Sequence, residues 1–184
     1  GTTLRQTLAL VSEFRQTNQN TPLVLMGYAN PVERMGYAAF ADRCAAAGID
    51  GLITVDLPPE EVDAVNVELK RVEIDNIFLI SPTTPDARIE MITARASGFL
   101  YYVAVKGVTG SGSLDAGAVA AYLDKIRHVS KLPIAVGFGI KDATSAASIA
   151  EYADGVVVGS ALVDALAKAT AAGASQSQLE AVAT

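Results

Sequence analysis

Six short runs of mostly apolar, β-branched residues, at 23–28, 51–55, 76–80, 99–105, 134–136 and 155–158, are separated by longer stretches of helical composition. Each run is nearly continuous in apolar residues rather than alternating, the pattern of parallel strands covered on both faces. The intervening stretches at 4–16, 33–47, 60–70, 86–95, 116–128 and 144–150 predict helices. Thr2 or Thr3 can cap the first, Pro85-Asp86 opens the fourth, and Gly48 follows the second as a stop. Strands that alternate with helices are joined by crossovers, and crossovers force a parallel sheet.

Two architectures satisfy that pattern, a doubly wound open sheet and a (β/α)8 barrel. No G-x-G-x-x-G follows an early strand, which weighs against a dinucleotide-binding sheet. A full barrel needs eight strands and typically about 250 residues, whereas six strand runs are visible here in 184 residues and a helix opens the chain. The expectation is therefore a single partial-barrel domain over residues 1–184, with the strand count short at the front.

Composition excludes several function classes. The formal net charge is −6 with no Lys/Arg cluster, which argues against a nucleic-acid partner. It also means that an anionic ligand must be held by a local device. No apolar run is long enough to span a membrane, and residues 1–3 lack the basic-then-apolar pattern of a signal peptide, so a cytoplasmic protein is expected. The one cysteine, Cys44, sits in a helix of small residues and reads as a packing residue.

The chemistry concentrates in three glycine-containing turns, each after a strand run: Lys106-Gly107-Val108-Thr109-Gly110-Ser111-Gly112, Gly137-Phe138-Gly139-Ile140 and Gly159-Ser160-Ala161-Leu162. In barrel enzymes the C-terminal ends of the strands carry the active site. Glycines let backbone N–H groups approach an anion with no Cβ in the way. Gly159-Ser160 also leads into a helix, whose N-terminus offers free N–H groups and the positive end of its dipole. Together the turns predict a phosphate cup that needs no lysine cluster. The segment 107–112 reads as a lid loop, with Thr109 its best-placed polar residue.

The ordered motifs resemble those of a known family. Met26-Gly27-Tyr28-Ala29-Asn30-Pro31 is similar to the strand-3 signature of tryptophan synthase α chains, and Val55-Asp56-Leu57-Pro58-Pro59-Glu60-Glu61 to their strand-4 segment. Gly107-Val108-Thr109-Gly110, Gly137-Phe138-Gly139-Ile140 and Gly159-Ser160-Ala161 match the loops after strands six, seven and eight in order and spacing. The resemblance covers the whole chain, which then carries about six βα units, strands 3 to 8 of a (β/α)8 barrel.

It implies reversible aldol cleavage of indole-3-glycerol phosphate to indole and glyceraldehyde 3-phosphate, a step of tryptophan biosynthesis. The chain itself then needs no cofactor and no metal. Pyridoxal phosphate belongs to a partner β subunit, reached by an indole tunnel in an α2β2 complex. By the same resemblance Gly110, Gly139, Gly159 and Ser160 hold the phosphate, and Tyr28 and Phe138 wall the indole pocket. Tyr101 lies inward near the substrate, and Thr109 orders the closed lid. Asn30, Asp56 and Pro58 belong to the partner interface. Asp56, a carboxylate at a strand end, also fits an acid/base role or turn capping, and Asn30 before Pro31 is a turn-former.

Two tempting residues fit poorly. His128, the only histidine, closes a helix where a cation suits the dipole. Lys106 could form a Schiff base in aldol chemistry, but the family does not use one and this lysine opens the lid loop. The family's two catalytic carboxylates, a glutamate on strand 2 and an aspartate in the loop after it, align before Gly1, and residue 1 is not Met. The chain as given is therefore expected to lack acid–base catalysis and to have open barrel edges. Two alternatives stay open: a noncatalytic module that binds phosphate or docks on a β subunit, and another phosphate-binding barrel enzyme such as a sugar-phosphate isomerase.

Overall fold

The computed structural model describes residues 2–104, 116–137, 139–140 and 142–183. They fall into two compact units, Gly1–Ile80 with Thr84–Leu100 and Val129–Leu132, and Ser81–Thr83 with Tyr101–His128 and Pro133–Thr184.

The first unit opens with helix α1 (Leu4–Arg15). Thr3, not Thr2, caps it: Gln6 N–H donates to Thr3 Oγ1 at 3.3 Å, and Thr3 N–H donates to Gln6 Oε1 at 2.8 Å. That reciprocal pair satisfies two donors that a helix start leaves without partners. There follow β1 (Val24–Gly27), α2 (Ala29–Met35), α3 (Tyr37–Ala47), β2 (Gly51–Thr54), α4 (Asp63–Arg71), β3 (Asp75–Ile80) and α5 (Asp86–Thr93). The strands are parallel and in register, Val24 opposite Gly51 and Gly51 opposite Asp75. Phe40, Cys44, Leu69, Ile77 and Ile89 are essentially inaccessible and form the heart of this unit. Burying each of the larger ones stabilises the fold by roughly 1.5–3 kcal/mol. The Cys44 thiol is pushed up to about 12 by that burial, so it stays a neutral packing group.

Three expectations change here. The single helix over 33–47 is two helices, because Gly36 sits at φ +83° and ends α2 while opening α3. An L-residue rarely adopts that angle. The helix expected over 60–70 begins only at Asp63, since Glu61 N–H donates to Pro58 O at 3.0 Å and closes a turn first. Asn30 and Pro31 lie inside the first turn of α2 rather than in a turn before it. A first-turn residue has no intrahelical N–H partner to lose, so proline is tolerated there.

Coverage of the strands is uneven. β2 and β3 are buried almost throughout, as their apolar runs predict. β1 is not: Met26 is 60% exposed and Tyr28 65%. β2 is the only strand that pairs with β1 among the described residues, so its apolar run meets no cover on the far side.

The second unit holds most of β4 (Leu100–Val103), then α6 (Ala116–Val129), β5 (Ile134–Gly137), α7 (Ala143–Ala150), β6 (Gly155–Val157), α8 (Ser160–Ala171) and α9 (Gln176–Ala183). β5 and β6 run parallel, Ala135 opposite Gly155. Asp142 caps α7 by accepting from Ser145 N–H at 2.8 Å. Alternation in β4 puts Tyr102 against α6, where its ring stacks on Tyr122 at 5.1 Å, and leaves Tyr101 on the opposite, half-covered face. α9 has no counterpart among the predicted helices. Its Gln-, Ser- and Ala-rich sequence carries little apolar periodicity. No helix among the described residues is long and apolar enough to cross a membrane.

Candidate functional site

In the first unit the candidate residues gather where β1 and β2 end. The parallel register sets Gly27 opposite Thr54, and Val55 N–H donates to Gly27 O at 2.9 Å. One residue further on, Ala29 N–H donates to Asp56 Oδ1 at 2.7 Å. Tyr28, the residue before α2, makes no side-chain cap of its own. A carboxylate 27 positions later in sequence therefore caps α2, at the end where the helix dipole favours negative charge. Of the readings open for Asp56, capping is the one this geometry displays. Asn30, in the first turn of α2, and Pro58, which accepts from Glu61 N–H, are both held at this end of the strands. A cavity of about 280 Å³ lies beside Asp56, Pro58 and Arg88. Arg88 closes on Glu60 through two bonds of 2.7 and 3.2 Å.

In the second unit Tyr101 lies within β4, two residues before its end, whereas Gly139 follows the end of β5 and Gly159 and Ser160 follow the end of β6. Burial pushes the Tyr101 phenol above its usual value, so it is a neutral hydroxyl donor throughout the neutral range. Its ring uses space that only glycine leaves. A Cβ on Gly137 would overlap Tyr101 Oη and come within 2.6 Å of Cζ. Gly137 is thus the last residue of β5 and a slot for Tyr101, rather than a turn residue. The glycine-rich spelling of the segment signals a close approach, but not which side chain makes it.

Gly139 has φ +82°, the left-handed region that favours glycine. Gly159 precedes α8, and Leu162 and Val163 N–H groups turn back to Gly159 O at 3.0 and 3.2 Å. The N–H groups of Ser160 and Ala161 then have no partner among the described residues at the start of a 12-residue helix. Among the described residues a Cβ at Gly159 would meet nothing within 4 Å, and Gly159 and Ser160 are both exposed. This is the chemistry of an anion site built from backbone. Thr109, Gly110 and Phe138, and with them Lys106, lie outside the described residues. His128 is occupied structurally, its Nδ1–H donating to Asp124 O at 2.6 Å. No cluster of His, Cys, Asp and Glu suited to a metal ion occurs among the described residues.

Known proteins bear directly on these residues. A family model described as tryptophan synthase alpha chain matches residues 1–184. The chain is 52% identical to the tryptophan synthase alpha chain of Marinobacter nauticus, over 91% of this chain and 62% of that protein. It is 52% identical to that of Bordetella pertussis, over all of this chain and 65% of the relative. It thus spans somewhat less than two thirds of these curated relatives. Among solved structures, tryptophan synthase subunit alpha from Legionella pneumophila superposes with a TM-score of 0.84 at 41% identity, over 97% of this chain and 64% of that one. A structure described as the tryptophan synthase a2b2 complex from Pyrococcus furiosus gives 0.76 at 33% identity, over 91% and 66%. The fold class is accordingly the (β/α)8 barrel, represented by six strand–helix units. Matched along its entire length and about half identical to curated members, the chain belongs to the tryptophan synthase alpha chain family.

Proposed function

We propose that these residues form part of a carbon–carbon lyase that cleaves indole-3-glycerol phosphate to indole and glyceraldehyde 3-phosphate in tryptophan biosynthesis. The observation that carries this reading is the open N-terminus of α8 at the end of β6, where Gly159 leaves the Ser160 and Ala161 N–H groups accessible. Those donors and the helix dipole hold a phosphate without any lysine. Gly139 lets the turn after β5 approach the same group, and Gly110 does so from the preceding loop. Tyr101 offers a neutral hydroxyl on the half-covered face of β4. Tyr28 and Phe138 supply aromatic surface for the indole, and Thr109 orders the lid.

Cleavage also needs a proton delivered to the indole carbon as its bond to the glycerol chain breaks, and charge stabilised at the indole nitrogen. Asp56 accepts from Ala29 N–H, so its carboxylate is assigned to capping α2 rather than to proton transfer. The 184-residue chain is accordingly expected to bind the substrate and release no indole. The proposed assembly is an α2β2 complex in which Asn30, Asp56 and Pro58 face the β subunit. Pyridoxal phosphate resides in that partner, the α chain uses no cofactor, and the complex is cytoplasmic.

Calorimetric titration of the chain with indole-3-glycerol phosphate, wild type against Ser160→Asp, tests the reading. A carboxylate in the first turn suits the helix start, so the variant folds, yet it repels the phosphate. Affinity is expected to fall at least about tenfold, a modest estimate for a charge-assisted anion contact. Unchanged affinity would remove α8 from the site.

A further inference from the structure

Asn76, near the start of β3, is the one buried polar residue among the described residues, with 5% of its surface exposed. Elementary donor and acceptor roles fix the orientation of its amide. The Arg95 carbonyl can only accept, so Asn66 presents Nδ2 to it, at 3.2 Å. Asn66 Oδ1 is left to accept, and Asn76 Nδ2 donates to it at 2.6 Å. Asn76 Oδ1 ends this relay and accepts from no group among the described residues. A buried acceptor without a partner costs free energy, and native structures rarely leave one so.

Asn76 lines a cavity of about 710 Å³ in the first unit, between α4 and the segment that follows α5. This lies at the start of β3, whereas Asp56 follows the end of β2. Lys70 and Asp75 line it too, and neither makes an ion pair with the described residues. Asp75 is half-buried, and its carboxylate uses room that Gly98 leaves, since a Cβ there would come within 2.8 Å of Asp75 Oδ2. The Arg95 guanidinium, by contrast, already has Asp63 Oδ1 at 3.5 Å. Leu69 and Ile74 add buried apolar surface to the lining.

Asn76 Oδ1 and the Asp75 carboxylate only accept, so the group that serves both is a multiple donor, and a primary ammonium is one. Lys70 only donates and takes an anion. Apolar surface beside these charges takes a hydrocarbon side chain, and the volume is that of small-molecule sites. We propose that this cavity binds an apolar α-amino acid as its zwitterion. The ammonium is held by Asn76 Oδ1 and Asp75, the carboxylate by Lys70, and the side chain lies against Leu69 and Ile74. The site is separate from the phosphate reading at α8, and neither stands on the other.

The test is NMR of the nitrogen-15-labelled 184-residue chain titrated with L-leucine. The signals of the Asn76 side-chain amide and of the Ser97 N–H, which donates to Asn76 O at 3.0 Å, should move together and saturate. Isocaproate lacks the ammonium and isoamylamine lacks the carboxylate, so each should bind at least about tenfold more weakly. Asp75→Asn and Lys70→Gln should each lose about tenfold in affinity for L-leucine, with circular dichroism unchanged. Absence of saturable shifts at Asn76 and Ser97 would overturn the proposal. Equal binding of either analogue would also overturn it, making the cavity a simple anion or cation site, as would undiminished affinity in either variant.

Discussion

At the scale of single residues, two side chains do work that lies across the fold from their own sequence neighbours. Asp56 receives Ala29 N–H at 2.7 Å and so ends the strand it follows while starting a helix that precedes it. Asp56→Ala should destabilise the chain by about 1 kcal/mol, the usual cost of losing a helix cap, whereas Asp56→Asn keeps an acceptor and should cost less. Thermal denaturation of the two variants distinguishes them. Tyr101 and Gly137 form the second case. Gly137→Ala puts a methyl where the phenol lies, so either Tyr101 leaves its place or β5 shifts. A loss of about 1–3 kcal/mol is expected, the range for overpacking, together with a change in the tyrosine near-ultraviolet dichroism. Asp56 and Pro58 stand out in the sequence as unusual residues at a strand end. Their partners do not, because Ala29 is 27 positions away and meets Asp56 only through the β1–β2 register. A long-range pairing of that kind has no local sequence signal.

At the scale of elements, the alternation of strand and helix is legible because each apolar run is bounded by its own turn chemistry. The runs at 51–55 and 76–80 lie within a residue of β2 and β3, since burial on both faces leaves a continuous apolar signature. Helix boundaries are less legible. Gly36 reads as one small residue in a helical stretch until its φ of +83° shows that it separates two helices. The start of β5 is pinned by another distant carboxylate: Asp154 Oδ2 accepts from Ile134 N–H at 2.8 Å and from Arg127 Nη2 at 3.2 Å. The Ile134 N–H bond, aided by Arg127 and opposed by partial desolvation, holds the Asp154 carboxyl below the ordinary 3.8. A lowered native value means the carboxylate contributes its full stabilisation above about 3.8, the unfolded value, and loses it as pH falls through the lower native value. Urea midpoints measured from about pH 5 down to about pH 2 should therefore fall less steeply in Asp154→Asn than in the wild type.

At the scale of the whole molecule, the proposed binding of an anion by an acidic chain rests on local geometry rather than on net charge. The helix start after Gly159 and the left-handed turn at Gly139 are signalled in the sequence by glycines alone, and the proposed phosphate site is built on them. The central claim is that indole-3-glycerol phosphate is held by its phosphate at the ends of β5 and β6. The most direct measurement is amide NMR of the nitrogen-15-labelled chain during titration with that substrate. The account predicts that the N–H signals of Ser160, Ala161 and Gly139 move together and saturate, with inorganic phosphate moving the same three less far. Saturable shifts confined to other residues, with Ser160 and Ala161 unmoved, would contradict it.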